Sequence, residues 1–166
     1  MPTTASAPGL LRRLAAMAYD AAALFSVLFV ASALVVIPTQ AMWGIEDLSG
    51  YPVFRIYLAL IVAVFFGWFW THGGQTLGLR AWHMRLVRID GKPVGWLDVL
   101  KRLAATLMLW LPVQLLFLLG ESADPVRDAL VAWTPFGIGL LWILFDRRKL
   151  AWHDRLSGTR PVMAKD

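Results

Sequence analysis

The chain has 166 residues, is 58% hydrophobic and carries a formal net charge of +5, with a mean hydropathy of +0.61. That leaves room for one membrane domain and little else. With no cysteine in the chain, thiolate catalysis, disulfides and Cys-ligated zinc or iron–sulfur clusters are excluded.

Residues 1–9 hold Pro, Thr, Ala and Ser with little to bury, which predicts a disordered tail. Four apolar runs follow, at about residues 14–37, 51–70, 103–119 and 129–145. Each approaches the roughly 20 residues a helix needs to cross a hydrocarbon core about 30 Å thick. The prediction is an all-α membrane protein with four transmembrane helices and a polar cytoplasmic loop between helices 2 and 3. Arg12 and Arg13 before an apolar run ending in Ala31-Ser32-Ala33 resemble a signal peptide. Asp20 interrupts that run, which also continues to Ile37, so it is assigned as an uncleaved first span ending at Pro38. Trp43 and Tyr51 suit the outer interface, and the second span closes on the aromatic belt Trp68-Phe69-Trp70.

The most polar stretch opens with Gly73-Gly74-Gln75-Thr76-Leu77-Gly78, whose glycines allow a tight, closely packed turn. Residues 82–89 suit a strand, and Asp90-Gly91 reads as a turn or hairpin tip. Residues 95–102 put Trp96, Leu97, Val99 and Leu100 on one side and Asp98, Lys101 and Arg102 on the other. That pattern predicts an amphipathic segment lying on the membrane surface before the third span. Pro112 and Pro135 predict kinks in the third and fourth spans. Glu121 to Pro125 form a short outer loop, and residues 163–166 a short tail after a membrane domain over 10–162.

With four crossings, all of the 16 lysines and arginines except Arg55 and Arg127 fall on one side. Positive charge in short loops stays inside, so both termini and the central loop are expected in the cytoplasm. The basicity is thus a topology signal with an attraction to anionic lipid headgroups, and no nucleic-acid partner is expected.

Asp20 lies six residues into the first span, about 9 Å deep at 1.5 Å per residue. An unpaired carboxylate there costs several kcal/mol, roughly 3 or more on insertion scales, so it must face protein, water or a partner. Steps of three and four from Arg13 give Ala16, Asp20, Ala23, Val27 and Ala31, a mostly small-residue stripe that turns Asp20 into the bundle. Arg13 sits about 10.5 Å away along the axis, so it should pair with some other group. Asp20 is either a structural bond holding helices together or a proton- or cation-binding carboxylate. His153, Asp154 and Ser157 invite comparison with a triad, but adjacent residues on a helix diverge and no nucleophile elbow is present, so no enzyme is expected. The segment is expected to fold back under the bundle, its charges meeting Arg102 or Arg13. His72, His83 and His153 lack metal-ligand spacing, so neither a metal nor another cofactor is expected.

Three stretches, taken in order, resemble the RDD family of bacterial integral membrane proteins. They are RRLAAMAYD with Arg13 and Asp20, GGQTLGLRAWHMRLVRIDGKPVGWLDVLKR, and WHDRLSGTRPV with Asp154 and Thr159. The resemblance covers residues 8–162. It implies a multi-pass protein of the bacterial inner membrane with a role in transport, and some similar proteins are linked to sodium- or potassium-for-proton exchange. On that reading Asp20 binds a monovalent cation or proton, Asp154, Arg13 and His153 tune it, and Arg102 is a counter-charge. Four helices are few for a transporter, so a homo-oligomer would supply the rest. The rival expectation is a non-catalytic membrane scaffold or assembly factor in which the same Arg and Asp residues form a structural ion-pair network.

Overall fold

A computed structural model of the chain describes residues 6–45, 47–119 and 124–164. Residues 1–5, the outer-loop acids Glu46 and Glu121 with the rest of 120–123, and the last residues Lys165 and Asp166 lie outside them. Helix α1, Leu10–Trp43, is 34 residues long, about 51 Å at 1.5 Å per residue. It does not stop at Pro38 as expected. The proline ring removes one backbone bond, but bilayers tolerate this where local groups re-satisfy the backbone. Thr39 Oγ1 donates to the Val35 carbonyl beside it, and the helix ends only at Gly44, whose φ of 67° closes it in the left-handed region.

Helix α2, Pro52–Thr71, opens on Pro52, where the missing N–H costs no helix bond. A one-turn helix α3, Leu77–Ala81, leads into strand β1, Met84–Arg88. The Gly91 turn (φ 82°) forms after it, but no hairpin follows. The chain enters helix α4, Trp96–Leu119, and β1 pairs instead with β2, Thr159–Met163, from the far end of the sequence. The pairing is antiparallel, with Met84 opposite Met163 and Arg88 opposite Thr159. This small sheet corrects the all-α expectation. Between α4 and β2 lie helix α5, Pro125–Phe145, capped by the Asp124 side chain, and the short helix α6, Trp152–Ser157.

Among the described residues, three stretches are long and apolar enough to cross a bilayer: α1, α2 and residues 126–145 of α5. Helix α4 is not among them. Its first two turns are not a separate surface segment but part of one continuous helix, and two of the three residues expected on the polar, water-facing side are buried. Asp98, Val99 and Arg102 are buried, whereas Trp96, Leu97 and Leu100 are exposed. Inverting the soluble pattern in this way is physically sound in lipid, where outward apolar side chains cost nothing and polar groups need protein partners. The same holds on α1, where Phe25, Phe29, Leu34 and Ile37 all point outward.

Helix α1 packs on α2 and α3, while α4 packs on α5, α6 and α2. The start of α1, α3, the β1–β2 sheet and α6 gather into one polar cap at a single end of the bundle. Residues 6–9, expected as tail, are part of it. Met163 N–H donates to the Ser6 carbonyl at 3.1 Å, Pro8 is fully buried, and Ala164 N–H donates to the His83 carbonyl at 2.8 Å.

Candidate functional site

Asp154 is fully buried at the centre of the cap. The α6 turn places it three residues past Ala151, whose N–H donates to Oδ2 at 3.1 Å. Arg13, one turn into α1, donates from Nη1 to the same oxygen at 2.6 Å. Arg102 of α4 brings Nη2 to 2.8 Å from Oδ1, and His153 Nε2 lies 3.4 Å from that oxygen. One carboxylate therefore ties the first helix, the fourth helix and the closing segment together. Further donors of both guanidiniums are also engaged. Arg13 reaches the Lys149 carbonyl at 2.6 Å and the Pro8 carbonyl at 3.3 Å. Arg102 Nη1 donates to Thr159 Oγ1 at 2.7 Å, and its guanidinium carbon lies 5.5 Å from the Trp70 ring centre, in cation–π range.

Electrostatics follow from this packing. Burial disfavours an ionised Asp154, but Arg102 and Arg13, aided by the Ala151 N–H, outweigh it and hold the carboxyl below its ordinary range. Burial, followed by the charge on Arg102, pushes the His153 ring down from 6.5 to about 4. At neutral pH the cluster thus holds two guanidiniums, one carboxylate and an uncharged imidazole, leaving one positive charge in excess.

The His153 shift carries a pH prediction. Between pH 6.5 and about 4 the unfolded chain binds a proton that the folded site refuses, so stability present above 6.5 is lost as pH falls through that window. Asp154, with its depressed value, adds its own loss only at the acid end of the range. Melting temperatures in detergent from pH 8 to 4 should fall most steeply below 6.5, and His153→Gln should flatten that limb. An unchanged slope in the variant would remove His153 as the cause.

Asp20 forms a second, separate site. It does face inward, but its partners are not charged. Thr76 Oγ1 donates to Oδ2 at 2.5 Å and Gly78 N–H donates to Oδ1 at 2.8 Å. Arg102 is the counter-charge of Asp154 rather than of Asp20. The glycine run supplies the fit. A Cβ on Gly78 would sit 2.1 Å from the Ala16 carbonyl oxygen and one on Gly74 2.5 Å from that of Leu86. Of the five expected residues, the structure brings Arg13, Arg102, His153 and Asp154 together and leaves Asp20 apart. Thr76 and Ser157 had no assigned role in the sequence. The signal for Thr76 was its place before a short helix, where it accepts from Leu79 N–H as an N-cap. Ser157 Oγ lies 2.7 Å from Thr159 Oγ1 and carries the Arg102 contact onward into β2. Among the described residues, no group of three or more His, Asp or Glu side chains is placed to hold a metal ion.

The elements that supply these contacts, from the α1 start through Gly78 and Arg102 to Asp154, fall in one continuous match. Residues 7–158 match the RDD family. The chain belongs to the RDD family. No curated protein matches it, and no solved structure does. RDD membership and the apolar helices fit an integral membrane protein in a lipid bilayer.

Proposed function

We propose that this RDD-family chain is a non-enzymatic membrane module whose arginines and aspartates are a structural lock. The lock fastens a cytoplasmic cap onto a four-span bundle. The observation that supports it best is the occupancy of the two buried carboxylates. Both oxygens of Asp20 accept hydrogen bonds from the chain itself, Asp154 Oδ2 accepts two, and Asp154 Oδ1 is held in an ion pair with Arg102 without a hydrogen bond among the described residues. An exchange site needs a carboxylate that trades its partners for an ion, whereas these partners come from packed backbone and from buried guanidiniums.

Strand pairing supports a reading with four crossings. Strand β1 lies between α2 and α4, and β2 follows α5, yet the two are hydrogen-bonded and so share a side of the membrane. If α5 crosses, α4 must cross as well. The bond between Met163 and Ser6 supports the same side for the N-terminal segment, which on this reading pairs α1 with α2. The basic residues clustered there favour the cytoplasmic face of an inner membrane.

Lengths also relocate Asp20. Helix α2 has 20 residues, about 30 Å, and the turn just after it holds Asp20. From Asp20 to Trp43 α1 still rises about 34 Å, enough for a crossing by itself. On this reading Asp20 lies at the membrane boundary rather than about 9 Å inside it.

A second reading, cation or proton exchange, is favoured by the position of Asp20 on the wall of an internal cavity. Purified protein in proteoliposomes separates the two. Under the lock reading the wild type shows no proton flux driven by sodium or potassium, and Asp20→Asn lowers the melting point by weakening two charge-assisted bonds, about 1–3 kcal/mol together. Wild-type flux that vanishes in an Asp20→Asn protein of unaltered melting point would overturn the lock in favour of exchange.

A further inference from the structure

Between α1 on one side and α4 with α5 on the other lies a cavity of about 360 Å³. Its contents are unequal along its length. At the cap end it meets Arg13, Arg102 and His153, and along its body Leu24, Phe66, Leu103, Trp110 and Phe136. Arg102 and Trp110 are eight residues apart on α4, so the walls change from cationic to aromatic over about 12 Å.

Water fits this space poorly. The volume equals about a dozen water molecules at their liquid share of about 30 Å³, yet most of the wall is apolar and offers them no hydrogen-bond partner. A void left empty inside a bundle forfeits the contacts of its whole lining. The size and character are those of a ligand pocket, mostly apolar with a few polar groups gathered at one end.

Charge and donors define the polar end of the occupant. Arg13 and Arg102 share one aspartate, which leaves an uncompensated positive charge. Of the five N–H donors a guanidinium carries, the bonds of Arg102 among the described residues use three, to Thr159, Ser157 and Asp154. The other acid on the wall, Asp20, has its two oxygens directed at Thr76 and Gly78. A negative group placed at Arg102 therefore meets N–H donors that these bonds leave unused, beside the guanidinium charges of Arg102 and Arg13. An amphiphile oriented with its charge toward the cap would lay its chain along Phe66, Trp110 and Phe136.

We propose that this cavity binds one anionic phospholipid, its phosphate at Arg102 and the upper part of an acyl chain between α1 and α4. The site rests on the membrane placement of the bundle but not on the lock, because a flux-carrying protein could hold the same lipid.

The test is native mass spectrometry of the full chain in mixed micelles. Phosphatidylglycerol and phosphatidylcholine are offered in equal amounts, at low salt and again at 0.5 M salt, where charges on open surfaces are screened within roughly 3–5 Å. One phosphatidylglycerol should be retained at both salts, with at least about a tenfold preference, near 1.4 kcal/mol. Ala21→Phe and Thr106→Phe, which fill the cavity from opposite walls away from the ion pairs, should each abolish that retention without lowering the melting temperature. Equal retention of the two lipids, loss of binding at high salt, or full retention in both filled variants would overturn the proposal. Displacement of the lipid by millimolar inorganic phosphate would also overturn it, by showing an anion site with no part for the chain.

Discussion

Asp154→Asn should prevent this chain from accumulating as a folded protein at normal temperatures. The substitution keeps the size of the side chain and the Ala151 cap, but it removes the charge from between two buried guanidiniums. Removing one partner of a buried pair costs about 3–5 kcal/mol, because the remaining charges are left buried and uncompensated. Here two remain, and they face each other. Such a loss is a large fraction of the 5–15 kcal/mol that holds an ordinary domain. The measurement is the melting temperature and monodisperse yield in mild detergent. The comparison is Arg155→Ala, which removes a pair to Asp146 in which the arginine is half exposed, and should change stability by less than about 1 kcal/mol. If the two variants behave alike, Asp154 is not the centre of the cap. Replacing Arg13, Arg102 and Asp154 together by apolar residues of similar volume should recover much of the loss, since a buried triad can be exchanged for packing.

Gly78→Ala is expected to be nearly as damaging, for a purely steric reason. The added carbon would lie 2.1 Å from the Ala16 carbonyl oxygen and 2.9 Å from the Asp20 carboxyl carbon. The first of these is helix backbone, which cannot swing aside as a flexible side chain would. Helix α3 must retreat from α1, and retreat separates Gly78 N–H and Thr76 from Asp20. Overpacking alone costs about 1–3 kcal/mol, and the weakened bonds to a buried carboxylate add to it. Gly73→Ala is the useful contrast, since no atom lies within 4 Å of the position its Cβ would take. Its φ of 130° brings backbone strain alone. Hydrogen exchange at the amides of 76–82 should rise in Gly78→Ala and far less in Gly73→Ala. Equal protection in both would mean that the close approach of α3 to α1 is not what holds this turn.

The helical part of the fold was legible because lipid imposes a length on apolar runs: those at 14–37, 103–119 and 129–145 fall within α1, α4 and α5, and that at 51–70 is offset from α2 by one residue. Burial of Arg13, Ala16, Asp20 and Ala31 on one face of α1 was legible too, from steps of three and four. Val27 was assigned to that face but is 39% exposed. The closing segment was expected to fold back and meet Arg102 or Arg13, and Asp154 meets both; what spacing could not supply was the exact partner and the strand pairing of the cap. Asp154 and Arg13 are 141 positions apart, and no local pattern joins them. Strand β2 is five residues long and contains Pro161, which suppresses the usual strand signal. The polar face of α4, with Asp98, Lys101 and Arg102, was read as the water-facing side of a segment lying on the membrane surface. In a bilayer the same pattern turns inward, and here Asp98 accepts from Gly95 N–H while Arg102 meets Asp154.

The order in which a ribosome delivers these residues gives the central contact a temporal meaning. Arg13 emerges among the first residues of the chain, and Asp154 follows 141 positions later. At 5–20 residues per second that is roughly 7–28 s of synthesis. Throughout that interval the opening helix is in place with its guanidinium unmated, as is that of Arg102 once it follows. Only a chain translated as far as Asp154 can neutralise them, and only one that includes Thr159–Met163 can add the strand that pairs with β1. Prematurely terminated products therefore stay open at this end, an exposed feature by which proteolytic surveillance could distinguish them from finished molecules.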